Sequence, residues 1–224
     1  NVAYQTGKIG NSRIDNGGTN LITNTLGEQF IIGGGSNPDP TYYQKLPSYA
    51  LRNGSISGAY LSQQEFQNDG QIDWNSLYQA NLSNGNSIYA LYEDRNDDDQ
   101  FTINTILRSQ LNDNVTLNGS VSYRNLKSHN FANILDLLGG NGYLNVDSFS
   151  ETFDEAQNDL RNPNRLVQKG EIYRYNFEIE ATIIDAFAQA QFQYDKVDFY
   201  VGAKISTTDY QRNGLYENGR FLGN

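Results

Sequence analysis

Residues 100–127 read QFTINTILRSQLNDNVTLNGSVSYRNLK, two alternating runs joined by the polar turn Asn112-Asp113-Asn114. In the first run Phe101, Ile103, Leu107 and Leu111 fall on one side, and Thr102, Asn104, Arg108 and Gln110 on the other. In the second, Val115, Leu117, Gly119, Val121 and Tyr123 share a side opposite Thr116, Asn118, Ser120, Ser122 and Arg124. A period of two is the mark of a strand, because successive side chains leave opposite faces of the pleat. The runs read as roughly 11 to 13 residues each, against about 5 or 6 for an ordinary strand. About 9 to 11 tilted residues cross a hydrocarbon core. The stretch is therefore expected to be a long β-hairpin able to span a membrane.

A second hairpin is expected over residues 171–207. Tyr173, Tyr175, Phe177, Ile179 and Ala181 alternate with polar neighbours, and then the phase slips at Ile183-Ile184, read as a bulge. Beyond it Ala186, Ala188, Ala190, Phe192 and Tyr194 carry the alternation to a turn at Asp195-Lys196. Val197, Phe199, Val201, Ala203 and Ile205 continue it. Both turns are short, whereas residues 128–170 form a long connection rich in Asp, Asn and Gly. Short turns at one end and long loops at the other are the pattern of an outer-membrane barrel. A soluble sandwich places turn signals every 8 to 12 residues or so. Phe101 and Tyr123 mark one end of the runs, Tyr194 and Phe199 the other, as interfacial aromatics do.

Composition agrees with that architecture. Hydrophobic residues make up only 37% of the chain and aromatics 12%, with 16 Tyr and no Met or Cys. The mean hydropathy is -0.66, which a barrel tolerates because its lipid-facing and lumen-facing residues average out. A net charge of -10 argues against nucleic acid as a partner. The absence of cysteine excludes disulfides, thiolate metal sites and a cysteine nucleophile. No stretch has the 18 apolar residues of a transmembrane helix.

The remaining segments read as loops with short helices. Residues 1–58 look irregular, with Val2 and Tyr4 ending an incoming strand. Residues 33–40 (GGGSNPDP) form a Gly/Pro loop without the Gly-Lys-Ser/Thr of a phosphate cradle. Pro47 is expected to break the aromatic segment 41–52. Residues 59–66 and 73–82 are helix candidates, the second capped by Asp73 with Trp74, Leu77, Tyr78 and Leu82 on one face. Residues 93–99 (EDRNDDD) read as a solvated loop tip, lacking the spaced acids, glycine and distal glutamate of a calcium loop. His129 is the single histidine and has no partner for a metal centre. Residues from Gln211 onward read as the start of a further loop.

Several phrases resemble the large TonB-dependent receptors of Bacteroidetes-type bacteria. They are Tyr42-Tyr43-Gln44-Lys45-Leu46-Pro47-Ser48-Tyr49, Gln63-Gln64-Glu65-Phe66, Asp69-Gly70-Gln71-Ile72-Asp73-Trp74, Tyr89-Ala90-Leu91-Tyr92-Glu93-Asp94-Arg95 and Leu137-Leu138-Gly139-Gly140-Asn141-Gly142-Tyr143. The resemblance implies that residues 1–224 are a middle portion of an all-β, antiparallel transmembrane barrel of about 22 strands, its long extracellular loops containing short helices. Plug, TonB box and terminal strands are absent from this stretch. It implies uptake of a scarce nutrient (siderophore, glycan or peptide) across the outer membrane of a Gram-negative bacterium. Outer-membrane lipid is then one partner, and TonB another through parts of the protein not in this stretch. A surface lipoprotein is a further candidate partner.

Ligand contacts would come from loop aromatics, which offer flat area with a polar tip: Tyr42, Tyr43, Tyr49, Trp74, Tyr78, Tyr89, Tyr92 and Tyr143. No catalytic residue, metal or cofactor is expected. The alternative is a structural barrel in a secretion or assembly complex, with loops that contact the other subunits. An enzyme is disfavoured: Glu93-Asp94 and Asp154-Glu155 are adjacent pairs, and nothing fixes the separation that two catalytic carboxylates need.

Overall fold

The computed structural model describes residues 1–68 and 70–223. In chain order the elements are β1 (Val2–Asp15), β2 (Thr19–Thr23), β3 (Gln29–Gly33), a 3-10 turn (Pro40–Tyr43), α1 (Leu46–Arg52), α2 (Ile56–Asn68) and α3 (Trp74–Asn84). They continue with β4 (Ala90–Asn112), β5 (Val115–Asp136), β6 (Tyr143–Leu144), β7 (Leu166–Val167), β8 (Ile172–Tyr194) and β9 (Val197–Gly214). Five long strands form one sheet in the order β1-β4-β5-β8-β9, and every neighbouring pair is antiparallel. The chain therefore runs up and down. Its two short turns, Asp113-Asn114 and Asp195-Lys196, lie at one end. Residues 16–89 and 137–171 connect strands at the other, and β2–β3, β6–β7 and the helices lie within those connections. Among the described residues no helix is long and apolar enough to cross a membrane.

The alternating hairpins are as expected, but the strands are about twice the expected length: 23, 22, 23 and 18 residues for β4, β5, β8 and β9. The excess comes from segments read as loops. Residues 93–99 are not a loop tip: they sit inside β4, paired to β1 on one side and β5 on the other. Ion pairs make this tolerable: Lys8 Nζ lies 3.6 Å from Asp97, and Arg95 Nε lies 2.8 Å from the same carboxylate. Val2–Asp15, read from the sequence as largely irregular, form β1 in full register with β4. His129 lies in β5, which extends to Asp136, and β9 extends to Gly214. Pro47 opens α1 instead of breaking the segment. A proline in the first turn loses no hydrogen bond, since that N–H has no intrahelical partner.

No register shift occurs at Ile183-Ile184. The slip in the sequence has another cause, visible when the two faces are followed along the sheet. Near the short turns, the face bearing Val121 is apolar. Its rows run Ile103–Tyr123–Ile184, Thr105–Val121–Ala186–Ile205, Leu107–Gly119–Ala188–Ala203 and Ser109–Leu117–Ala190–Val201. The opposite face at these levels carries Asn104–Ser122–Asp185–Ser206 and Arg108–Asn118–Gln189, with Ile106 and Phe187 the apolar exceptions. Toward the long loops the assignment reverses. The Val121 face now carries Glu93, Arg95, Asp97, Asp99, Lys127, Glu178 and Glu180, while Tyr92, Ala132, Ile134, Tyr173, Tyr175 and Phe177 lie on the other. The exchange is sharp in β8, near Thr182, and looser in β5, where Ser128 and Asn130 precede Ala132 and Ile134; in β4 both faces are polar from Glu93 to Gln100, and the other face turns apolar only at Tyr92. The sheet is continuous there; what changes is which face is apolar.

Aromatic pairs border the apolar band on the Val121 face. Phe192 and Phe199 stack at 4.7 Å near the turns, and Phe101 meets Tyr123 edge-on at 6.5 Å near the exchange level. From Val115 to Asn125 the band is about 34 Å long along the strand at ~3.4 Å per residue. The band's side chains are open: Ile205 is 73% and Val201 64% exposed.

The buried core lies at the loop end. Ala90, Tyr92, Ala132, Ile134, Tyr143, Val167 and Tyr173 form its largest cluster. A second cluster joins α3 to the strands through Leu77, Tyr89 and Leu138. Asp73 caps α3 as expected, accepting from Ser76 N at 3.1 Å. The stripe named from the sequence is only partly buried: Leu77 is covered, whereas Trp74, Tyr78 and Leu82 are exposed. The inward partner of Leu77 is Asn81, fully buried. Its amide nitrogen donates to the carbonyls of Tyr89, Leu137 and Leu138, and its oxygen accepts from the N–H groups of Ile88 and Tyr89. One side chain thus satisfies backbone groups of two connections before β4 begins and after β5 ends. Asn81→Ala removes these partners, leaving the Ile88 and Tyr89 N–H groups without their acceptor while Leu137 keeps Ser87, and is expected to destabilise the loop end by about 2–4 kcal/mol, since each orphaned buried group costs ~1–3. Hydrogen exchange checks it: the Ile88 and Tyr89 amides lose protection while those of residues 115–123 keep theirs.

Candidate functional site

A cavity of about 270 Å³ opens at the loop end, on the face opposite Val121. Its walls come from the end of β1 and the turn after it (Ile14, Asp15, Asn16, Gly17), from Tyr92 of β4, from Tyr143 to Phe149, and from Tyr173 and Arg174 of β8. Three buried tyrosines form its floor. Tyr173 is flanked edge-on by Tyr92 and by Tyr143, each with ring centres 5.5 Å away. This packing pins the rings, and their hydroxyls mark the polar side of the cavity.

Asp15 fixes one end. Its carboxylate accepts from the Tyr173 hydroxyl at 3.0 Å and from Gly17 N at 2.7 Å. Burial, with the negative charge of Asp15 beside it, pushes the Tyr143 phenol well above its ordinary value. Tyr173 is raised for the same two reasons. Both phenols therefore stay protonated and act as donors.

Arg174 lines the opposite wall in an unusual backbone conformation, φ = 66°. The left-handed region costs a non-glycine residue about 1–2 kcal/mol. Here it belongs to a bulge: Phe131 pairs with Asn176 and Ala132 with Tyr173, so Arg174 and Tyr175 have no partner on β5. Two buried asparagines hold it. Arg174 N donates to Asn145 Oδ1 at 2.7 Å, and Asn158 Nδ2 donates to the same oxygen at 3.1 Å. The guanidinium then reaches the Tyr92 hydroxyl, 3.3 Å from Nη1. The bulge also aims Tyr175 at Asp94, whose Oδ1 accepts from its hydroxyl at 2.9 Å.

Of the eight aromatics singled out in the sequence, only Tyr92 and Tyr143 meet at this cavity. Tyr89 is buried and donates to the carbonyl of Ser36 at 3.1 Å, a packing role under the Gly33-Gly34-Gly35 loop. Tyr42 and Tyr43 contact each other edge-on in the 3-10 turn, and Tyr43 donates to the carbonyl of Asn37. Tyr49 of α1 is exposed, as is Trp74 at the start of α3. Tyr78 lies beside Gly139. These six do not converge. Tyr173, Arg174 and Asp15 were missed. Tyr173 and Arg174 look like ordinary members of an alternating strand, and Asp15 comes to Tyr173 from 158 residues away, which no local pattern records.

Comparison with known proteins finds no matching family model, no matching curated protein and no matching solved structure.

The raised phenols give a pH test. Below pH about 10, tyrosine is protonated whether folded or unfolded. Above that value only the unfolded chain gives up these two protons, so alkali favours unfolding. Stability of the loop end is expected to hold up to about pH 10 and to fall beyond it. In Tyr143→Phe, with no proton to lose, the alkaline midpoint followed by near-ultraviolet circular dichroism moves to higher pH.

Proposed function

We propose that this chain is an arc of an outer-membrane β-barrel that serves as a TonB-dependent receptor, its loop end facing outward and its short turns facing the periplasm. The observation that carries the reading is the exchange of apolar faces along the sheet, sharpest in β8 near Thr182. A strand leaving lipid for water must change which side is apolar. In the membrane the outside of a barrel meets hydrocarbon and the inside meets a polar lumen. Above the membrane the outside meets water and the inside packs against protein. The band from Val115 to Asn125 is about 26 Å high at a tilt of ~40°, close to the ~25 Å apolar belt of such barrels.

The edges of the sheet support the same reading. β1 and β9 are edge strands, and an unpaired edge in hydrocarbon costs several kcal/mol for each unsatisfied backbone group. Five strands are also too few to close, since the smallest barrels have about 8. Further strands would complete the barrel beside β1 and β9. The receptor assignment, as distinct from the barrel, rests on the resemblance of the loop phrases and on the polar-walled cavity at the loop end. Capture is non-covalent in this reading, and no reaction is involved.

Neighbouring residues of β8 test it. Ala188 lies on the Val121 face in the middle of the band, and Gln189 lies on the opposite face. In the full-length protein, Ala188→Arg is expected to cost about 2–4 kcal/mol of insertion free energy, and Gln189→Arg close to nothing. The fraction of protein that reaches the outer membrane and resists urea extraction reads this out. Equal behaviour of the two variants contradicts the assignment of the lipid face.

A further inference from the structure

Among the described residues, the charges lining the Tyr92–Tyr143–Tyr173 cavity form no close ion pair with one another. Arg174 has no carboxylate within 4.0 Å of its guanidinium among the described residues. Asp15 and Asp147 line the same cavity, and neither is in an ion pair among the described residues. Both carboxylates are held by neutral donors: Asp15 by Tyr173 and Gly17, Asp147 by Phe149 N at 3.0 Å. Neutral donors orient a carboxylate but leave its charge in place. Among the described residues the cavity therefore presents a guanidinium outside any close ion pair, with Asp15 and Asp94 acting on it at longer range, and Asp147 as a further carboxylate without an ion-pair partner.

The positive wall is the strained one. The bulge in β8, held by Asn145 and Asn158, turns Arg174 out of the ladder, and Tyr92 steadies its Nη1. A left-handed arginine sustained by two buried asparagines is the kind of backbone outlier that clusters at ligand clamps. A guanidinium with most of its donors unused is suited to a planar carboxylate. The negative wall suits an ammonium. Phe149, 84% exposed, sits at the rim and offers an apolar surface for a side chain.

We propose that this cavity binds an α-amino carboxylate unit, its carboxylate on Arg174 and its ammonium on Asp147. A lone anion would face two carboxylates, and a lone cation would face the guanidinium; only a ligand with both charges meets each wall with the opposite sign. At ~30 Å³ for each water-sized group, the cavity holds about nine such groups, enough for one amino-acid unit. The inference deepens the receptor reading by naming a ligand class for that site.

The test uses the full-length protein purified in detergent and four small probes that separate the charges: alanine, lactate, propionate and ethylamine. Saturation-transfer NMR titration reports binding. Alanine is expected to bind at least about tenfold more tightly than propionate or ethylamine, the factor that one charge-assisted contact supplies. Lactate, which keeps the carboxylate and has no charge for Asp147, is expected to fall between. Asp147→Asn should weaken alanine and leave propionate unchanged or improved, and Arg174→Gln should weaken alanine, lactate and propionate. Asp147 lies outside the bulge, so its variant remains informative if Arg174→Gln disturbs the fold. Propionate binding as well as alanine, or alanine binding unaffected by Asp147→Asn, overturns the proposal. Flotation of the same protein with phosphatidylcholine vesicles distinguishes the two levels. Binding without flotation removes the receptor reading and keeps the cavity's ligand class; flotation without binding does the reverse.

Discussion

Side chains of a β-strand alternate between two faces, so a strand that stays in register cannot move its apolar residues to the other side except by changing which positions are apolar. In this protein that change is sharp near Thr182 of β8 and is completed closer to the loops in β5 and β4, at Ala132 and Tyr92. Below it, hydrophobicity is on the Val121 face; above it, on the face of Tyr92 and Tyr173. Everything else follows from the two environments so defined. The lower sheet has an open apolar belt and a polar back. The upper sheet has one charged face, with Lys127 Nζ 3.1 Å from Glu178, and an opposite face on which the loops fold.

The loops depend on that second face. Residues 16–89 hold two short strands and three helices and residues 137–171 two very short strands, and both connections pack against the loop ends of the long strands. Asn81 closes the join by satisfying five contacts with backbone at the ends of both connections. Asn145 and Asn158 do comparable work beside the β8 bulge. In each case a buried amide replaces a missing ladder partner, which is why these asparagines are buried when most are not. The cavity lies where these loop joins meet the strand ends, and its unpaired charges are held by the same scaffold.

Much of the sheet was legible from alternation. The hairpin turns at Asp113-Asn114 and Asp195-Lys196, the helix capped by Asp73 and the imbalance between short turns and long loops could all be read locally. The upper strands could not. Residues 93–99 look like a loop because strands rarely hold five carboxylates in seven residues, and it takes cross-strand contacts with Lys8, Arg13, Tyr4 and Tyr175, besides Arg95, to hold them in the sheet. The slip at Ile183-Ile184 was seen but assigned to a bulge; a change of environment leaves the same trace in sequence as a change of register. The real bulge, at Arg174, left no trace because Tyr173 and Tyr175 keep their parity across it. The cavity was half legible. Tyr92 and Tyr143 belong to phrases that stand out, while Asp15 and Arg174 acquire meaning only from contacts across the sheet.

The central claim is that the environment, and not the register, changes along β8. Spin labels placed singly at each position from Phe177 to Gln193, in the full-length protein reconstituted in bilayers, measure it directly through collision with oxygen, which concentrates in lipid. The account predicts oxygen access that alternates from Ile184 to Phe192 with maxima at the even-numbered residues, and that fades at and above Thr182. Uniform access along the strand, or maxima at the odd-numbered residues, would contradict it.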